Sequence, residues 1–432
     1  MKYQQNSKRE EKSKFITNQL TNMAHISIRS YLYLLLGTTL FSCAPQELKT
    51  PFELKCENIP VPVGVDTQTP RLSWKLPLLE EDSINRVEIW LSTDSTQLSG
   101  RQSGYWNKSI IGAPIRVSYD GQPLDSYTTY YWKIGYQTSS KQKTTFSPIS
   151  SFTTGCLSSD NWKGIASAGL HELSVNGQRA GNHFLDPMYT HFNKRILSVT
   201  HDVTSLLSMG ENVIGVQLGN GWYNHQSTAV WFFDKASWRN RPKFTAQLHL
   251  RYTDGTTEYL GTDSAWQTTD SPVIFNSIYT AEHYDAQKEL AGWDSPGFNA
   301  TGWYHAQETE SPTETIKSQV MHPIRETARY TATQCKKIND SCYVYHFPKN
   351  IAGVTELKVK GKKGTKLRLK HGELLDKNGI VNMANIDYHY RPTDDSDPFQ
   401  TDIVILSGKQ DRFMPKFNYK GFQFVEVSSS AP

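Results

Sequence analysis

Five cysteines in 432 residues are too few for a scaffold built on disulfides, and none falls in a CxxC pair or a Cys/His spacing of the zinc type. No GxSxG elbow, phosphate-binding glycine loop, dinucleotide fingerprint or HExxH helix occurs, which removes the commonest sequence signals of serine hydrolases, nucleotide enzymes and zinc proteases. Charge of one sign is also scarce. Residues 1–43 hold six basic and two acidic side chains, which leaves forty of each in the remainder. A nearly neutral body without a Lys/Arg stripe excludes nucleic acid as a partner, because phosphate neutralisation needs concentrated positive charge.

What is present is aromatic and turn-rich. Aromatics make up 12% of the chain, with 11 Trp and 22 Tyr, beside 28 Gly and 20 Pro. That composition lies far from disorder and favours short strands joined by turns over long helices. The fold class read from it is all-β. Trp74, Trp90 and Trp132 sit inside alternating strands and are expected in a core.

Near the N-terminus, Arg29 precedes the apolar run Tyr31–Phe41. Its length falls short of the ~20 residues that cross a bilayer and suits a signal-peptide core. Leu40-Phe41-Ser42-Cys43 resembles the lipobox of bacterial lipoproteins, which implies acylation of Cys43 and membrane contact through the lipid only. An ordinary signal peptide or an uncleaved anchor is the alternative. Export to the periplasm or outer membrane of a Gram-negative bacterium is the expected localisation. Cys335 and Cys342 flank the turn-like Lys336–Asp340, so a disulfide across a hairpin is expected there. Cys56 and Cys156 either pair or stay as free thiols.

Three β-regions come after the leader (1–43). Residues 51–156 alternate as an immunoglobulin or fibronectin III sandwich does, for example in Arg86–Leu91 and Thr128–Tyr136. Residues 157–318 form a second β-region, with one short helical turn expected near Asp202–Leu207 and capped by Asp202. The polar stretch Glu308–Thr315 marks a boundary, and residues 319–432 alternate again.

Six stretches together resemble bacterial α-L-rhamnosidases of glycoside hydrolase family 78: Pro62–Trp74, Glu172–Gly177, Gly219–Tyr223, Glu282–Ala286, His371–Leu375 and Pro415–Phe422. The resemblance implies a fibronectin-like sandwich, a jelly roll related to a rhamnose-binding module, and a further β-sandwich. In that family these precede an (α/α)6 barrel carrying the catalytic carboxylates, and this chain ends where that barrel would start. No catalytic residue is therefore carried over. The jelly roll is also expected to be shortened, since only Ile165–Ala168 stands where the family has several tens of residues. A sheet left with an unpaired edge is prone to association.

By resemblance, the loops bearing Asn182, His183 and Asp186 and bearing Asn220, Trp222 and Tyr223 are the candidate carbohydrate site. Asn182 and Asp186 are its candidate calcium ligands, and rhamnose-containing glycans its partner. The alternative is that these are turn residues and a buried Trp shaping the sandwich. Glu282 and Asp285, like Glu373 and Asp376, are expected to be structural, Glu282 and Asp285 at the interface with the barrel. His171 and His371 lack a third ligand for a metal site. Three functions are compatible with these features: an accessory region that is inert alone and binds sugar weakly, an active glycosidase whose barrel comes from a separate partner chain, or a surface adhesion or scaffold lipoprotein.

Overall fold

The computed structural model describes residues 49–80, 82–99, 104–140, 143–157, 164–226, 231–386 and 399–431. The chain divides into two units, Met1–Lys49 and Thr50–Pro432. The leader and Cys43 lie outside the described residues, and all three β-regions belong to the second unit.

The first region is a two-sheet sandwich. One sheet runs in the order Val63–Val65, Ser150–Thr154, Thr129–Thr138, Ile84–Ser92, Trp106–Ile111, with Thr145–Phe146 added beside Thr129–Thr138; the other holds Phe52–Cys56, Arg71–Lys75 and Arg116–Ser118. Strand period explains its core. Val87, Ile89 and Leu91 point inward from one strand and Tyr130, Trp132, Ile134 and Tyr136 from its neighbour, all fully buried. Trp74 meets Trp132 edge to face at 6.4 Å. Trp90 has the opposite parity to its neighbours, so it lies on the outer face and not in the core. There its ring lies beside Phe146 and 4.7 Å below the ammonium of Lys133.

The second region has a five-stranded sheet, in the order Thr257–Gly261, Lys243–Arg251, Gly164–Ala168, Ile196–Val199, Ile316–Ser318. Facing it is a three-stranded sheet, Gln178–Arg179, Leu170–Val175, Ile214–Gly219. The expected turn is a single 3-10 turn at Thr204–Leu206, with the Asp202 carboxylate accepting the Thr204 N–H at 3.0 Å. Closure between the two sheets is incomplete. Lys243–Arg251 is flanked by strands on both sides, yet none of its nine residues is buried. A trough of about 1750 Å³ opens between the sheets.

The third region is built on a seven-stranded sheet: Val273–Asn276, Glu282–Asp285, Thr401–Ile405, Lys366–Gly372, Lys420–Ser429, Cys342–Gly353, Gln334–Asn339. Its first two strands precede the polar boundary near residue 318, so sequence order and sheet membership part there. Glu282–Asp285 runs parallel to Thr401–Ile405. Leu367, Leu369, Val404, Phe413, Phe422 and Val425 fill the core.

The expected disulfide is not formed. The hairpin register sets Cys335 opposite Tyr345 and Cys342 opposite Asn339. Three residues of strand, ~10 Å at 3.3 Å each, then separate the two cysteines, beyond the ~7 Å that a disulfide spans. None of Cys56, Cys156, Cys335 and Cys342 is joined to another of them in a disulfide. Burial raises the Cys56 thiol far above its ordinary pKa, whereas Cys335 is exposed. A bulky maleimide should therefore label Cys335 in the native chain and reach Cys56 and Cys342 only in denaturant. Mass spectrometry that found Cys335 linked to Cys342 in native protein would contradict the register.

Candidate functional site

The loop after strand Ile214–Gly219 carries Asn220, Trp222 and Tyr223, and the fold gives each a different task. Asn220 is spent on the scaffold: its backbone N–H and side-chain amide donate to the Oδ1 and carbonyl of Asn276 at 2.7 and 2.8 Å, and its Oδ1 accepts from Asn224. Tyr223 is 1% exposed and packs on Phe192 in a small core with Ala166 and Ile196. Neither side chain offers a polar group to a sugar, so both candidates resolve to shaping residues.

Trp222 is half-buried and stands at the centre of an aromatic wall. It stacks on His225 at 5.2 Å and meets Tyr189, Trp231, Phe233 and Tyr279 edge-on or tilted within 6.4 Å. The open side of that wall belongs to Tyr189 and Trp231, which are 46% and 57% exposed, and the neighbouring Phe232 is 66% exposed. These are the rings a pyranose could stack on. Sequence reading missed them, although the run Trp231-Phe232-Phe233 was a visible signal.

The second loop, Gly181–Pro187, is organised around a buried carboxylate. Asp186 precedes a cis proline and is 3% exposed. Its Oδ2 lies 3.0 Å from His183 Nδ1, and its Oδ1 accepts the Gln319 amide at 2.9 Å. Arg325 Nη2 lies 3.2 Å from His183 Nε2. A guanidinium only donates, so Nε2 accepts and the proton sits on Nδ1, donated to Asp186. Burial pushes the Asp186 carboxyl up, but the bonds from His183 and Gln319 outweigh it and hold it below the usual range. Asn182 is exposed, whereas Asp186 is buried. The Asp186 carboxylate is shared between a histidine and an amide, and among the described residues no three acidic, His or Cys side chains gather around one point.

Behind this loop, His171 shares a hydrogen bond with Ser167 Oγ at 2.8 Å and lies 6.4 Å from His201. Burial depresses His171 to a pKa of about 3 and His201 to about 4. His371 is fixed between the Gln400 carbonyl and the Thr355 hydroxyl. All three are neutral packing histidines.

The acids singled out from sequence are structural, and Glu282 is the most consequential. It is 1% exposed, and its carboxylate accepts the backbone N–H groups of Lys416 and Phe417 at 3.0–3.2 Å. Asp402, itself buried, accepts the Glu282 N–H at 2.9 Å and the Lys420 ammonium at 2.7 Å. Glu282 thus anchors the third region, not a surface awaiting a barrel. Asp285 caps the turn at Ala286–Lys288 through Gln287 N–H, Asp376 caps a turn through Asn378 N–H, and Glu373 accepts from Asn385. No exposed pair of facing acids arises from these residues.

Comparison with known proteins gives these domains a family. A model of the Rha78A-like N-terminal immunoglobulin domain matches residues 51–158, the α-L-rhamnosidase N-terminal domain matches 164–328, and the bacterial α-L-rhamnosidase concanavalin-like domain matches 336–432. An α-L-rhamnosidase of Formosa agariphila is 26% identical over 458 residues, covering 93% of this chain and 48% of the relative. One from Streptomyces avermitilis is 32% identical over 262 residues, covering 60% of this chain and 24% of the relative. Among solved structures, α-L-rhamnosidase from Dictyoglumus thermophilum superposes with a TM-score of 0.77 at 28% identity, over 88% of this chain and 47% of that one. The Streptomyces avermitilis enzyme complexed with L-rhamnose shares the fold, with a TM-score of 0.78 at 19% identity over 88% of this chain and 56% of that one. By its three β-rich domains the chain belongs to the α-L-rhamnosidase family, and it spans about half the length of the Formosa relative.

Burial raises the Glu282 carboxyl to about 7, helped by the nearby Asp402 charge and opposed by the Phe417 and Lys416 N–H groups and the Lys420 ammonium. The folded state therefore binds a proton that the unfolded chain releases near its ordinary value. The resulting stabilisation is full below that value and is lost as pH rises through about 7. Urea unfolding of the third region should show stability falling between pH 5 and 8 by on the order of 3 kcal/mol, with the slope flattened in Glu282→Gln. An unchanged slope in that variant would exclude Glu282 as its source.

Proposed function

We propose that this chain is the accessory β-rich portion of an α-L-rhamnosidase, serving removal of terminal α-L-rhamnose from glycans while supplying no hydrolytic acid itself. Inverting hydrolysis needs an acid and a base ~6.5–9.5 Å apart on either side of the sugar. The observation that carries the reading is the burial of Glu282 and Asp402: the two acids that meet in the core are 1% and 0% exposed and already occupied by backbone N–H groups and Lys420. Family membership supplies the substrate class. The open rings of Tyr189, Trp231 and Phe232 support weak sugar contact by stacking.

Purified full chain incubated with an aryl α-L-rhamnoside should release no phenol above the uncatalysed rate. Calorimetry with L-rhamnose should show weak binding that Trp231→Ala removes and Asn220→Gln leaves in place. Turnover by the chain alone would overturn the accessory reading in favour of an enzyme. Absence of any rhamnose binding would leave the aromatic wall without a sugar role.

A further inference from the structure

The trough of the second region has the dimensions and chemistry of a site for a polypeptide strand. Its volume of about 1750 Å³ exceeds the ~300–1,000 Å³ of small-molecule sites. Its walls carry apolar side chains from both sheets, among them Leu173, Val216, Phe244 and Leu248. Along it runs Ile214–Gly219, which is hydrogen-bonded to Leu170–Val175 on one side and to no strand on the other among the described residues. An unpaired strand edge offers N–H and C=O groups at fixed spacing, and only an extended backbone satisfies them in series. None of the nine residues of the strand Lys243–Arg251 is buried.

The relatives carry extra polypeptide within the span they share with this chain. The alignment with the Formosa agariphila enzyme runs over 458 positions, and a second α-L-rhamnosidase from that organism over 475, yet they engage only 93% and 91% of this 432-residue chain. Both relatives therefore carry residues inside the matched span that have no counterpart here.

We propose that the trough accepts an extended strand donated by a polypeptide other than a second copy of this chain, with apolar side chains at alternate positions. The strand adds to the open edge of Ile214–Gly219 and turns its apolar face into the gap between the sheets. This inference goes beyond the rhamnosidase reading and stands independently of it, since it concerns packing and not sugar chemistry.

The test uses the full chain and synthetic peptides of about ten residues that tile the unmatched stretches of the Formosa relative. Binding is followed by calorimetry and by the fluorescence of Trp266, Trp293 and Trp303, which line the trough. The expected result is saturable binding of a peptide with alternating apolar residues. N-methylation at alternate residues, which removes the N–H groups facing the edge, should weaken it by about tenfold or more. Val216→Lys, at a half-buried wall position, should do the same with unchanged circular dichroism. Should that variant misfold, the N-methylated peptide still decides. Failure of every peptide to bind, equal binding of the N-methylated form, or a dimer in which a second copy protects the trough would each overturn the proposal.

Discussion

The structure turns on one buried carboxylate. Glu282 sits at the start of a strand that leaves the second region's sheets and pairs in parallel with Thr401–Ile405 of the third. Its two accepted N–H groups come from Lys416 and Phe417, more than 130 residues onward, and Asp402 fixes its own backbone while neutralising Lys420. A charge cluster this deep is costly unless every member is paired, and losing one partner leaves an uncompensated charge worth several kcal/mol. The geometry therefore has one workable arrangement. Phe417, placed by Glu282, packs against Leu170, Leu185 and Ile278 and so joins the two regions through apolar contact as well. Domains that look separable in sequence are mechanically one body at this point.

Packing quality differs sharply along that body. The first region closes around a core that includes seven fully buried rings or aliphatic chains on its two central strands, and the third closes around Leu369, Val404 and Phe422. The middle region has the strands of a jelly roll without a filled interior. Its buried residues lie on Gly164–Ala168 and Ile196–Val199 and around Tyr223, Phe192 and Phe417, while Lys243–Arg251 beside them has no buried residue. A sandwich with an unfilled gap forfeits transfer energy and dispersion together. Polar contacts add to that core: the Glu282 node, the Asp66 carboxylate accepting Ser318 N–H at 3.0 Å, and the Asp186 cluster.

Strand period made the first region legible, because Val87, Ile89 and Leu91 alternate with polar residues in plain sight. The same parity would have placed Trp90 outside, where residue type alone argued for the core. The six family-like stretches lie in the regions whose domain matches now stand. The candidate site was less readable. Asn220 and Tyr223 lie in a motif that reads as a binding loop, yet their fates depend on Asn276, 56 residues away, and on a ring packed from another strand. The cysteine pair failed because spacing cannot reveal hairpin register. Glu282 was read as structural, but its partners are too distant in sequence for any local pattern to name them.

Segment-resolved hydrogen exchange on the native chain tests the contrast between closed and open domains most directly. Amides of Ile84–Ser92, Thr129–Thr138 and Lys366–Gly372 should be protected by at least ~100-fold over those of Lys243–Arg251 and Thr257–Gly261. Equal, core-like protection across Lys243–Arg251 would contradict an open middle domain, because a strand that exchanges as slowly as the first region's core cannot be bordering an unfilled gap.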